Sequence, residues 1–177
     1  MPDQYLPGAY VQYLKLNGTS LTEAPDDQAE ISGDLLSVLR ELDTRTKVNI
    51  HTTLVPVSVL REKAVSNYPE AAVRELMLNA ILHRDYLSNT PARFYWFSDR
   101  IEIQNPGGLF GEVTMNSLTG RTSYRNPVVA EAMKTLGYIN RYGRGIQRAY
   151  DTLSANGNPP PVFDADERVF RAVIRGR

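Results

Sequence analysis

Glu75, Asn79 and His83 recur at i, i+4 and i+8 through Tyr68–Tyr86, a segment that is otherwise largely apolar. Pro69 suits the first turn of a helix, and Glu70 sits where the positive end of a helix dipole favours negative charge. Val73, Leu76, Met77, Ala80 and Ile81 follow at helical spacing. Leu78 and Leu82 extend that apolar surface most of the way round, which predicts a buried helix. A carboxylate and a carboxamide inside such a rod are costly unless something pairs with them. Either a Glu75–Asn79 pair caps a neighbouring backbone segment, or the stripe faces a ligand. In the second case the Asn79 amide oxygen suits a hard cation such as Mg²⁺, which needs only one or two protein oxygens when phosphates and water supply the rest. Glu75, one turn away, suits a general base toward a water attacking a phosphoryl group. His83 fits contact with phosphate, orientation of Glu75, or a satisfied place in the core.

Two glycine-bearing segments follow the stripe. Asn105-Pro106-Gly107-Gly108 ends a strand-like run and is, taken alone, an ordinary Pro-Gly turn. Tyr142-Gly143-Arg144-Gly145-Ile146 stands directly before an apolar-periodic stretch. Glycines there let backbone N–H groups approach an anion, and the positive helix end stabilises its charge. Arg144 and Arg148 lie close enough in sequence to add charge, unless they belong to a solvated helix face.

In combination, these motifs carry a family resemblance. Glu75-x-x-x-Asn79-Ala on a core helix is similar to the N-box of the GHKL (Bergerat-type) ATPases such as gyrase, MutL and the histidine kinases. Glu75…Asn79-Ala-Ile-Leu-His-Arg-Asp-Tyr, followed by Asp99-Arg-Ile-Glu-Ile-Gln-Asn-Pro-Gly-Gly-Leu109, resembles a narrower group. That group is the C-terminal GHKL-like domain of bacterial proteins classed as transcriptional regulators or RecG-related ATP-dependent DNA helicases, which usually carry an AlbA-type (Schlafen-like) domain in front. The resemblance covers about residues 8 to 175. It implies that Asn79 holds Mg²⁺, that Glu75 activates water, and that Asn105, Gly107 and Gly108 form the first glycine motif beside the base. Where the wider family has aspartate to receive the adenine amino group, this chain has Asn105, whose amide oxygen accepts the same bond without the charge. Gly143, Gly145 and Ile146 correspond to the second glycine motif. Val113 to Arg141 corresponds to the lid over the phosphates, with Arg125 its best basic candidate. The implied ligand is ATP, or another purine nucleotide, with Mg²⁺.

Other chemistries fit poorly. His83-Arg84-Asp85 is similar to a kinase catalytic loop, but Thr90 stands where that loop needs asparagine; Arg84 and Asp85 read as a local ion pair. Gly120-Arg121-Thr122 lacks the P-loop lysine, and Met115 stands at its first glycine, so a motor helicase is not supported. His51 and His83 are the only histidines and there is no cysteine, which excludes disulfides and thiolate metal sites and fits a reducing cytoplasm. Twenty basic and twenty acidic side chains cancel, so the chain as a whole has no strong pull toward nucleic acid. No apolar run approaches the roughly 20 residues of a membrane span.

The 177 residues suit a single domain, with residues 1–60 an opening strand–helix–strand segment and 61–177 the motif-bearing core. The abrupt start at Met1-Pro-Asp-Gln reads as a piece of a longer protein. Predicted elements are a strand over 9–16, a polar surface loop over 19–30, a helix over 33–47, a strand over 48–59, and the buried helix from 69 to about 84. A hairpin over 92–104 breaks sharply at 105–108. A helix capped by Asn126 with Pro127 at its first position runs to about Leu136, and another starts after Gly145. A last strand pair covers Val162-Phe163 and 169–174. Hairpins mixed with helices predict an α+β two-layer sandwich, a mixed, mostly antiparallel sheet covered on one face by helices.

The leading functional expectation is a nucleotide-binding regulatory module whose DNA or RNA contacts come from another domain, with weak ATPase activity or none and a homodimer as an allowed state. A degenerate scaffold or dimerisation module is the alternative. Direct nucleic-acid binding through Arg121, Arg125, Arg141, Arg144 and Arg148 is the third.

Overall fold

Residues 5–120, 123–139 and 144–177 are described by a computed structural model. The alternation at the start of the chain becomes β1 (Val11–Leu16), which buries Val11 and Tyr13 on one face and Leu16 on the other. There follow β2 (Pro25–Ile31), α1 (Leu35–Asn49), β3 (Thr52–Ser58), β4 (Arg61–Ser66), α2 (Glu70–His83), β5 (Ala92–Trp96) and β6 (Arg100–Pro106). After a 3₁₀ turn at Met115–Ser117 come α3 (Pro127–Thr135), α4 (Gly145–Asn156), β7 (Val162–Ala165) and β8 (Val169–Arg175).

Six strands form one sheet in the order β2-β1-β5-β6-β8-β7, and β3 and β4 make a separate two-stranded hairpin. Only β1 and β5 run parallel; the other neighbours in the six-stranded sheet are antiparallel. Tyr13, Phe94, Ile101, Ile103, Ala172 and Ile174 project from the sheet into a core closed by Leu39 and Leu42 of α1, most of α2, Met133 of α3 and Leu153 of α4. The opposite face carries a smaller cluster of Leu14, Leu16, Tyr95 and Phe97. The molecule is thus an α+β two-layer fold on a mixed, mostly antiparallel sheet. Fully buried residues such as Leu153 make the core tight, and truncation to alanine there costs about 2–5 kcal/mol.

Three local expectations need correction. Residues 19–30 are not simply a loop, because β2 occupies their second half. Its side chains are almost all exposed and only Ile31 is buried, so backbone pairing to β1, rather than apolar alternation, makes it a strand. The strand expected over 48–59 begins at Thr52, since burial of Leu42, Thr46 and Asn49 carries α1 on through Val48, which is 69% exposed. Asn49 locks that last turn by donating to the Tyr13 hydroxyl at 2.7 Å. Third, β6 continues through Asn105 and Pro106, so the sharp break comes at Gly107, where φ is +93°.

Candidate functional site

Helix α2 starts from Pro69 with Glu70 in its first turn and buries Ala72, Val73, Leu76, Met77, Leu78, Ala80, Ile81 and Leu82. It packs against both α4 and the sheet, so its polar stripe lies in a largely apolar interior. Glu75, Asn79 and His83 all face one cavity of about 580 Å³. The sheet contributes Ile103 and Asn105 from β6 and Phe170 and Ala172 from β8. The start of α4 contributes Arg144, Gly145, Ile146, Gln147 and Arg148, and the segment after β6 contributes Gly107, Gly108, Leu109, Phe110, Ser123 and Tyr124. A cavity of this size with apolar walls and a few convergent polar groups is a small-molecule site in form.

Glu75 is largely satisfied by protein. Its Oε1 accepts from Arg148 Nη1 at 2.7 Å and from Arg74 Nη1 at 3.0 Å. Its Oε2 faces Gly145, where an added Cβ would lie 2.6 Å away. A side chain at the head of α4 would therefore push the Glu75 carboxylate aside. Asn79 donates Nδ2 to the Glu75 carbonyl at 2.8 Å, which fixes its amide plane and leaves Oδ1 without a hydrogen bond among the described residues. His83 stacks on Tyr124 with ring centroids 5.9 Å apart and planes 14° from parallel. Burial, aided by the nearby Arg125 charge, pushes the His83 imidazole down to about 4, so it is neutral at pH 7.

Asn105 is 3% exposed, and among the described residues its Oδ1 has no hydrogen-bond partner. Buried polar atoms are nearly always paired, so an orphaned carboxamide oxygen on a residue that lines the cavity stands out. The glycines beside it have protein reasons. A Cβ on Gly108 would come within 2.0 Å of the Asp166 carbonyl oxygen, and Gly107 has positive φ with Asp85 and Arg125 packed against it. Gly107 N–H also donates to Arg168 O at 2.7 Å.

The cavity thus gathers Glu75, Asn79, His83, Asn105, Gly107, Gly108, Gly145 and Ile146 from the residues singled out in the sequence. Gly143 lies outside the described residues, as do Arg121 and Arg141. Arg125 does not line the cavity. Its Nη2 donates to Gly108 O at 3.0 Å and its guanidinium covers the Phe110 ring at 4.8 Å, bracing the turn from behind. Asn126 is also used differently from expectation. It precedes α3 without capping it through its side chain, and Nδ2 donates instead to the Leu82 and Arg84 carbonyls at 2.9 and 2.7 Å, closing the end of α2. Arg84 does not pair with Asp85. It is 1% exposed and donates to the carbonyls of Tyr10 and Thr90 at 2.7 and 3.1 Å.

Sequence reasoning missed Tyr124 and Phe170. Tyr124 lies beside the chosen Arg125, and only packing tells which of the two faces inward. Phe170 reaches the site through its register opposite Asn105, which a single sequence does not reveal. Among the described residues no group of three or more acidic, histidine or cysteine side chains could hold a metal ion alone. No helix among them is long and apolar enough to cross a membrane.

Residues 90–174 match the family described as "Putative ATP-dependent DNA helicase recG C-terminal". That match supports an ATPase-like domain. It spans just under half of the chain and covers both glycine segments and β5 to β8, while the Glu75–Asn79–His83 helix precedes it. Among curated proteins none matches. Thirteen chains of known structure do. One is the DIP2311 protein from Corynebacterium diphtheriae, with a TM-score of 0.84 and 23% identity over 96% of this chain. The match covers 35% of that protein, so this chain spans about a third of its relative's length, and the likeness at this identity is one of fold.

Proposed function

We propose that the cavity binds a purine nucleoside triphosphate with Mg²⁺, as a GHKL-like (Bergerat-type) module of a larger DNA-associated regulatory protein. The observation that carries this reading is the convergence on one cavity of Asn79, the head of α4 at Gly145, and Asn105, whose buried Oδ1 has no hydrogen-bond partner among the described residues. The helix start offers free N–H groups and a positive dipole end to phosphate. Arg144 stands at that start and Arg148 one turn on. The apolar walls around Asn105 suit a flat heteroaromatic base.

The residues fit Mg²⁺ in the manner of a phosphate-borne ion, with Asn79 supplying one oxygen and the nucleotide the others. Bound there, the ion would neutralise phosphate charge. Glu75 is placed to act as a base toward water, yet Oε1 already accepts two charge-assisted bonds, so turnover is slow unless Arg148 moves to the phosphates. Binding would alter how another part of the full-length protein, of AlbA type, assembles on nucleic acid.

A second reading, a scaffold without a ligand, is favoured by the packing roles of Gly107 and Gly108. Calorimetric titration with ATP and Mg²⁺ separates the two. Wild type is expected to bind and Asn79→Ala to lose most of the Mg²⁺-dependent affinity; absence of heat with wild type favours the scaffold. For direct nucleic-acid binding, Arg125 and Arg148 are already engaged by Gly108 and Glu75, which speaks against an open basic patch.

A further inference from the structure

The site's walls differ sharply in polarity. Toward α4 it is lined by Glu75, Asn79, Arg144 and Arg148, and toward the sheet by Ile103, Ala172 and Phe170 with Asn105 among them. In an antiparallel pair, directly opposed residues share a face. Asn105 stands opposite Phe170 and Ile103 opposite Ala172, so the carboxamide is one polar group set in an apolar floor. It is 3% exposed, and among the described residues neither its Oδ1 nor its Nδ2 is held by a hydrogen bond.

We infer that Asn105 lets this site take both 6-amino and 6-oxo purine nucleotides, an inference that rests on the nucleotide reading above. A carboxylate in that place would only accept, and would therefore demand a donor such as an exocyclic amino group. A carboxamide carries a carbonyl acceptor at one end and two N–H donors at the other. Because no described residue pins either end, a half-turn of the terminal torsion exchanges them inside the same volume. Oδ1 then meets a 6-amino group and Nδ2 meets a 6-oxo group. The group is also neutral, so a base carbonyl brought against it meets no negative charge in an apolar surround. Asn105 is thus the residue that sets base tolerance, while the α4 end holds whatever triphosphate arrives.

The test titrates the 177-residue chain with ATP and with inosine triphosphate, each with Mg²⁺, by calorimetry. Inosine triphosphate is the useful probe because it changes the 6-substituent without adding the 2-amino group of guanine. Wild type is expected to bind the two within about 5-fold of each other. Asn105→Asp, assayed at pH 8, is expected to retain ATP and to lose inosine triphosphate by about 10- to 100-fold, the usual effect of leaving a buried polar group wrongly paired. Should that variant fail to fold, Asn105→Leu serves, with both nucleotides weakened by a similar factor of about 10. Strong preference of wild type for ATP, or weakening of ATP alone in Asn105→Leu, overturns the inference and leaves the nucleotide site standing. Binding of neither nucleotide by wild type overturns both.

Discussion

Arg148 and Glu75, 73 positions apart, meet at 2.7 Å, the guanidinium at the head of α4 donating to a carboxylate in the middle of α2. The Glu75 side chain is 12% exposed and that of Arg148 47% exposed, so the pair straddles the rim of the cavity. Arg74 shares the same oxygen at 3.0 Å and also donates to the Tyr138 carbonyl. Through these contacts a residue outside the matched family span is tied to one of the glycine-bearing segments within it.

Removing one arginine leaves Glu75 the other. Arg148→Met is expected to destabilise the fold by about 1 kcal/mol, as for a partly exposed pair. Combined with Arg74→Met, the loss should exceed the sum of the single changes, because a nearly buried carboxylate is then left without a cation. Urea unfolding of the two single variants and the double variant measures the coupling.

The glycines divide by what crowds them. At Gly108 the obstacle is the backbone carbonyl of Asp166, which cannot step aside; at Gly145 it is the end of the Glu75 side chain. Gly108→Ala is therefore expected to destabilise by about 3 kcal/mol or more, and Gly145→Ala by about 1–2 kcal/mol, the latter by pushing the Glu75 carboxylate aside. Thermal unfolding ranks them, and equal effects would contradict the packing described.

His83 makes stability depend on pH. Its folded value of about 4 lies below the ordinary 6.5, so the unfolded chain takes up a proton that the folded chain refuses. Its contribution is intact above pH 6.5 and is lost as pH falls from 6.5 through 4, by about 3 kcal/mol in all. Denaturant melts at pH 7 and pH 5 should differ accordingly, and His83→Gln should flatten that difference.

Arg84 is a structural cation with backbone partners. Buried and joined to the Tyr10 and Thr90 carbonyls while lying over the Tyr86 ring at 5.4 Å, it ties the start of β1 to the loop after α2. A lysine lacks the planar fork for that geometry. Arg84→Lys is expected to destabilise by about 2–4 kcal/mol, read from unfolding midpoints, without direct effect on the cavity lining.

Legibility in the sequence followed burial. The helix over 70–83 was plain because its apolar residues recur on nearly every side, and the stripe through it stood out for the same reason. The core strands β1, β5 and β6 were legible from their apolar runs. Strand β2 was not, because Asp26, Asp27, Gln28 and Glu30 face solvent and only the β1 backbone makes them a strand. Strand β4 was hidden likewise, its Arg61-Glu62-Lys63-Ala64 stretch being exposed and stabilised by pairing with β3. In the site, the residue types were readable but not their aim. Arg125 and Tyr124 are neighbours of which one braces a turn and the other faces the cavity. That Glu75 is held by Arg148 required knowing that α4 lies on α2.

The most direct test of the central reading is an amide chemical-shift map of the isotope-labelled chain with ATP and Mg²⁺ added. The expected result is saturable shifts at Gly145, Ile146 and Gln147, at the Asn105 and Asn79 side-chain amides, and at Gly107 and Gly108. Shifts confined to the exposed face of α3 around Val128 and Leu136, or none at all, would contradict it.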